Sequence, residues 1–236
     1  MEQDRRLDNR VIALMRQQIY VLSPSFYREE PNFSKFNILL VDDSPDIINS
    51  LSTYLSVLET FSVAATASPY IAKELIKSYK GDEISITPEA LIARAIIEMD
   101  ESKKKGKLAD KDYNLYKKAD LLLPEGKVLS QIYHEGIVLI VSDAKMGGIN
   151  GFQLLDFAAQ EIPDTFRLIL SAEPGFTQQR NPEELFKACA IGYINKGISD
   201  YETTLVAKIK SVFGDEIFAR NLSEFAKYYR KHVNTF

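Results

Sequence analysis

Four short apolar runs, each giving way to polar side chains at its carboxyl end, constrain this chain more than any other feature. Ile38-Leu39-Leu40-Val41 ends in the acidic pair Asp42-Asp43, and Ile137-Val138-Leu139-Ile140-Val141 leads to Asp143, which opens the segment Asp143-Ala144-Lys145-Met146-Gly147-Gly148-Ile149-Asn150-Gly151. Two later runs end in Ser171-Ala172 and in Tyr193-Ile194-Asn195-Lys196. Such runs read as strands buried on both faces, as in a parallel sheet covered by helices. In an open parallel sheet a ligand crevice forms outside the carboxyl ends of the strands. Three carboxylates, a hydroxyl and an ammonium gathered there can hold a divalent cation and a phosphoryl group.

The intervening sequence alternates accordingly. Strands are expected at 37–41, 61–66, 137–142, 166–171 and 192–195, with helices at 45–58, from Ser68-Pro69 onward, and at 151–160, 181–191 and 200–213. Pro45 is tolerated in a first helical turn, and Ile47, Ile48, Leu51, Tyr54 and Leu55 repeat at inward-facing spacing. Five strands separated by helices imply an α/β fold, a doubly wound five-stranded parallel sheet with right-handed crossovers. The alternation breaks over 80–134, where no clear strand is visible. One helix there is capped by Thr87, with Pro88 at its first position, and runs through Met99; another is expected over 109–122. The stretch is too long for a connector and too patterned for a linker, so it reads as an inserted helical segment. Residues 1–36 form an N-terminal extension with an amphipathic helix at 4–22. Residues 37–213 form the α/β domain, and 214–236 a C-terminal helix at 215–232, whose stripe of Phe218, Leu222, Phe225 and Tyr229 reads most simply as core.

Charge and cysteine content exclude several classes. A net charge of −4 gives no basic field for nucleic acid, and Lys103-Lys104-Lys105 reads as a solvated helix end. The single cysteine, Cys189, lies in an apolar helical stretch and cannot form an internal disulfide, which fits a reducing compartment. The charged start Met1-Glu2-Gln3-Asp4-Arg5-Arg6 lacks a signal-peptide core, and no apolar run approaches the roughly 20 residues that span a bilayer. A cytoplasmic protein with no membrane contact is expected. His134 and His232 share no metal-ligand spacing.

A phosphoryl-accepting aspartate must be an ionised carboxylate exposed to its donor. The transition state spreads negative charge over three equatorial oxygens, so neighbouring carboxylates demand a hard cation. Magnesium takes oxygen ligands and keeps several waters. Asp43 and Asp143 are candidate direct ligands, Asp42 one through water, and the backbone carbonyl of Lys145 a further one; manganese is an alternative ion. Lys196 would contact one phosphate oxygen and Ser171 another.

Together these residues resemble the receiver domains of two-component response regulators. Asp143-Ala144-Lys145-Met146 with Asn150-Gly151 is similar to their phosphoacceptor loop, Asp42-Asp43 to their acidic pair, Ser171-Ala172 to their switch hydroxyl dipeptide, and Tyr193 and Lys196 to their switch aromatic and phosphate-contacting lysine. The resemblance covers 37–78 and 137–213. It implies a CheY-like (flavodoxin-like) fold with Asp143 as phosphoacceptor, Ser171 as switch hydroxyl, Tyr193 as an aromatic that rotates inward, and Lys196 as phosphate contact. It also implies magnesium, a sensor histidine kinase or phosphotransfer protein upstream, and a downstream protein partner. Phosphotransfer and dephosphorylation would be self-catalysed, so the chain would be a signalling phosphoacceptor rather than a conventional enzyme. Two departures stand out. Gly147-Gly148 follows Met146 where the family often has proline, which suggests a more mobile loop. Gly197 follows Lys196 where a cis proline is frequent. Lys145 and Glu173 are placed to pair across the mouth and slow the attacking water.

No helix-turn-helix or winged helix is visible, so no direct DNA binding is expected. Either the protein signals by contact alone or this chain is a fragment of something longer. The insertion follows helix two, at the amino end of the strands, so it should not shape the crevice unless it folds back along a face. Its apolar side (Leu91, Ile92, Ala95, Ile96, Met99) suggests a docking surface or a homodimer interface. Two rivals stand beside the receiver reading. One is a receiver-fold scaffold or dimerisation module that is not phosphorylated in the cell. The other is a haloacid-dehalogenase-type hydrolase, whose second aspartate two residues after the nucleophile is Lys145 here.

Overall fold

The computed structural model describes residues 36–56, 61–79, 86–163, 165–172 and 190–213. The helices expected at 4–22 and 215–232, most of that at 181–191, and Glu173, Cys189 and His232 lie outside the described residues. The apolar runs form β1 (Phe36–Val41), β2 (Phe61–Thr66), β4 (Ile137–Asp143), β5 (Phe166–Ser171) and β6 (Gly192–Asn195). All seven residues of β4 are buried, because helices cover the sheet on both sides. Successive side chains point to opposite faces, so Ile38 and Leu40 enter one core and Leu39 the other. On the first face pack α1 (Pro45–Ser56) and α7 (Tyr201–Phe213), through Ile48, Leu51, Leu55, Leu205 and Ile209. The second face carries α2 (Pro69–Ser78) and α6 (Gly151–Glu161), through Ile71, Leu75, Leu154 and Leu155.

Local sequence starts these helices. Ser68 accepts the Ile71 N–H ahead of Pro69. Asn150 accepts the Gln153 N–H at 2.9 Å while Gln153 accepts the Asn150 N–H at 3.0 Å, a reciprocal cap at the start of α6.

Among the described residues six strands, not five, make the sheet. Their order is β3-β2-β1-β4-β5-β6, where β3 (Leu121–Leu122) runs antiparallel to β2 with Thr66 opposite Leu121. The other five are parallel. The sixth strand lies inside the stretch expected to contain none. Two leucines carry no strand signal of their own; they are extended because the edge of β2 offers unpaired backbone groups. For the same reason the helix expected over 109–122 is shorter. It forms α4 (Asp110–Tyr116), closes with tight bonds from Lys118 N–H to Leu115 and Ala119 N–H to Tyr116, and gives way to β3.

The insertion is part of the same packing unit as the sheet. Its first helix, α3 (Pro88–Lys104), lies antiparallel along α2: Tyr70 hydrogen-bonds Ser102, and Lys73 and Lys77 pair with Glu98. Leu91, Ala95 and Met99 are fully buried there, so most of the apolar side expected to dock a partner is covered within the chain. At 17 residues α3 is about 25 Å long, enough to bring the chain back to the carboxyl edge of the sheet. There α4 sits, before β3 and α5 (Leu129–Glu135) return the chain to the amino end. The exception allowed for the insertion therefore holds: α3 folds back along α2, spans the sheet's height and brings the insertion to the crevice.

Exposed ion pairs of the Lys77–Glu98 kind are worth only about 0–1 kcal/mol, so burial holds α3 in place. Met99→Ala is therefore expected to cost about 2–5 kcal/mol in urea denaturation with one shared transition. A loss under about 1 kcal/mol, or a separate early transition, would contradict a common core.

Candidate functional site

Strand register alone brings the expected residues to one edge. Val41 pairs with Ser142, so Asp42 and Asp143 leave adjacent strands side by side. Asp143 pairs with Leu170, next to Ser171, and Ser171 pairs with Asn195, next to Lys196. Lys196 N–H donates to the Ser171 carbonyl at 2.7 Å, and Ala144 N–H to the Leu170 carbonyl at 2.7 Å, which extends the ladder beyond the strand ends.

The side chains converge on Lys196. Its Nζ lies 2.8 Å from Asp42 Oδ2 and 2.5 Å from Asp143 Oδ1, with all three groups nearly shielded from solvent. The other oxygen of Asp42 accepts the Ser44 N–H at 3.0 Å, and that of Asp143 the Lys145 N–H at 3.0 Å. Asp43 is half-buried beside them. Ser171 is buried at its strand end, and Tyr193 is partly buried against the core on the α2–α6 face. The Lys145 side chain is exposed, while its N–H faces the Asp143 carboxylate.

The electrostatics are unbalanced. Burial pushes Asp42 above the usual carboxylate range, more than Lys196 pulls it down. Asp43 is pushed up to about 6, first by burial, then by the charges of Asp143 and Asp42. Burial would lower Lys196, but Asp42 and Asp143 outweigh it and hold the ammonium above its ordinary range. Three ionised carboxylates against one ammonium leave a net charge of −2.

That deficit and the all-oxygen donor set suit magnesium. Among the described residues no three Asp, Glu, His or Cys side chains form a ready-made metal cage. Magnesium does not require one, since it is commonly held by one or two carboxylates, waters and a substrate phosphate. Asp43 and Asp143 are the carboxylates that would hold it.

The loop after Asp143 explains its own glycines. A Cβ at Gly151 would collide with the Asp143 carbonyl, so α6 can start against Asp143 only with glycine. A Cβ at Gly147 would collide with the Asp112 side chain, and one at Gly148, where φ is +77°, with the Tyr70 hydroxyl. Asp112 and Tyr116 come from α4, and Tyr116 accepts the Gly147 N–H at 2.8 Å. Sequence reasoning missed both. The signal was Gly147-Gly148, read as slack when it provides room for the insertion.

Parallel strands in the order 2-1-4-5-6, closed by a short antiparallel edge strand, carry the cluster outside their carboxyl ends. This doubly wound order is shared by flavodoxin and CheY. The fold is the flavodoxin-like, CheY-like one. Several solved structures similar to this chain are receivers. Chemotaxis protein CheY4 of Vibrio cholerae is 16% identical over 76% of this chain and 99% of its own, with a TM-score of 0.42. A CheY-like receiver domain protein from Methanospirillum hungatei is 17% identical over 78% and 97%, with a TM-score of 0.44. A response regulator receiver protein from Sinorhizobium medicae is 14% identical over 78% and 98%, also at 0.44. No family model and no curated protein matches the chain. No helix among the described residues is long and apolar enough to cross a membrane.

A carboxyl whose folded pKa is raised stabilises the protein below its unfolded pKa and loses that contribution as pH rises through the folded value. For Asp43 the loss falls between about 4 and about 6. Asp43→Asn is therefore expected to melt higher than wild type at pH 7 without divalent cations, with the gain shrinking as pH falls towards 4. Thermal melts across that range check this; a gain independent of pH would contradict it.

Proposed function

We propose that this chain is a response-regulator receiver that accepts a phosphoryl group on Asp143 and passes the signal on through protein contacts. The observation that carries the reading is Lys196 Nζ bridging Asp42 and Asp143 at the carboxyl edge of the sheet. A buried lysine with two carboxylates is a preorganised positive group beside a nucleophile, which is most of what phosphoryl transfer asks of a protein.

In this reading a carboxylate oxygen of Asp143 attacks the phosphorus of a phosphohistidine or a small phosphodonor. The donor's P–N or P–O bond breaks and an acyl phosphate forms. The Lys145 N–H orients the acceptor carboxylate. Lys196 transfers its contact from Asp143 to a phosphoryl oxygen, and Ser171 receives another. Asp43, Asp143 and the Lys145 carbonyl, with Asp42 through water, would hold magnesium or manganese, which would supply charge neutralisation on the transferring oxygens. Tyr193 is the proposed switch aromatic, and the surface of β6 and α7 the proposed output face.

The upstream partner would be a sensor histidine kinase or phosphotransfer protein in the cytoplasm, and the downstream partner another protein. We assign 37–213, with the insertion at 80–134, as the receiver, flanked by extensions over 1–36 and 214–236.

Intact-mass measurement with acetyl phosphate and magnesium tests the reading. One added phosphoryl group is expected on wild type and none on Asp143→Asn. Absence of an adduct on wild type would favour a scaffold or dimerisation module, and continuous phosphate release a hydrolase.

A further inference from the structure

The insertion touches the acceptor loop at a place the receiver reading leaves without a role. Tyr116, at the end of α4, is fully buried, and its hydroxyl accepts the Gly147 N–H at 2.8 Å. Its ring lies 6.2 Å from that of Tyr70, which is itself buried beneath Gly148. Burial, then the charge of Asp43, holds the Tyr116 phenol well above its ordinary range, so it stays a neutral hydroxyl close to the carboxylate cluster.

The loop needs such a tie. Two consecutive glycines lose more conformational freedom on ordering than any other pair. Nearer the acceptor, Lys145 N–H bonds Asp143 Oδ2, and beyond it Ile149 N–H bonds the Gly147 carbonyl and Gly151 N–H the Ala144 carbonyl. The Tyr116 bond anchors the middle of this segment to the insertion. The same glycines leave room for the Asp112 side chain and the Tyr70 hydroxyl. The departure at Gly147-Gly148 and the insertion at 80–134 are therefore two halves of one arrangement.

We propose that Tyr116 is a positioning residue for phosphoryl transfer: by accepting the Gly147 N–H it holds the loop from Ala144 to Asn150, and with it the Asp143–Lys145 backbone, in the geometry that serves the acceptor. This rests on the phosphoacceptor reading of Asp143. Tyr116 touches neither donor nor acceptor, so its effect should appear in how readily the loop supports magnesium, not in the identity of the product.

Tyr116→Phe keeps the ring and removes the acceptor. Tyr113→Phe is the control, because Tyr113 donates a comparable bond at 2.7 Å to Asp100 within the insertion, away from the loop. Two readouts on the full chain separate positioning from mere folding. The first is amide exchange at Gly147 by NMR; the second is the magnesium concentration that half-saturates phosphorylation by acetyl phosphate. Tyr116→Phe is expected to speed exchange about three- to tenfold and to raise the half-saturating magnesium by a similar factor, as loss of one hydrogen bond implies. Tyr113→Phe should leave both unchanged. Equal magnesium dependence in wild type and Tyr116→Phe overturns the inference, as does an equal shift in Tyr113→Phe. A wild type that gains no phosphoryl group overturns the phosphoacceptor reading, and this inference with it.

Discussion

Two carboxylates drawn into the edge of an apolar sheet need a positive charge within reach, and Lys196 supplies it. Asp42 is 1% exposed and Asp143 4%. An ion in such a place costs several kcal/mol unless it is paired and hydrogen-bonded. The ammonium arrives from 154 positions beyond Asp42, at the end of β6, and ties the first, fourth and sixth strands together where the backbone ladder runs out. Each remaining carboxylate oxygen has a backbone N–H from the residue two positions on. The balance is still incomplete, because Asp43 adds a charge that Lys196 does not neutralise, and its pKa rises, first from burial and then from the charges of Asp143 and Asp42. A site that is stable yet short of positive charge suits a divalent cation.

Much of this was legible in the chain. Asp42, Asp143 and Ser171 each follow an apolar run that reads as a buried strand, and Lys196 follows a shorter, half-buried one. Parallel pairing then leaves little choice about which end they share. The cap at Thr87 was equally readable, since it needs only a side-chain oxygen and an N–H three residues on. What could not be read depends on contacts between distant segments. Leu121-Leu122 is a strand only because β2 has a free edge, and α4 stops at Tyr116 only because the chain must reach that edge.

The insertion shows how a local rule can mislead. Its attachment at the amino end of the sheet suggested distance from the site. The length and direction of α3 decide otherwise, and neither follows from where the insertion begins. Glycine gave the same kind of ambiguity. At Gly147, Gly148 and Gly151 the missing Cβ makes room for Asp112, Tyr70 and the Asp143 carbonyl. Composition alone cannot separate a glycine kept for motion from one kept for space.

The most direct measurement is a crystal structure of the protein with magnesium and beryllofluoride. The beryllofluoride group is expected on a carboxylate oxygen of Asp143, with Lys196 Nζ hydrogen-bonded to one of its fluorines and the cation on the Asp43 side. Beryllofluoride bound elsewhere, or Lys196 turned away from the Asp143 adduct, would contradict it.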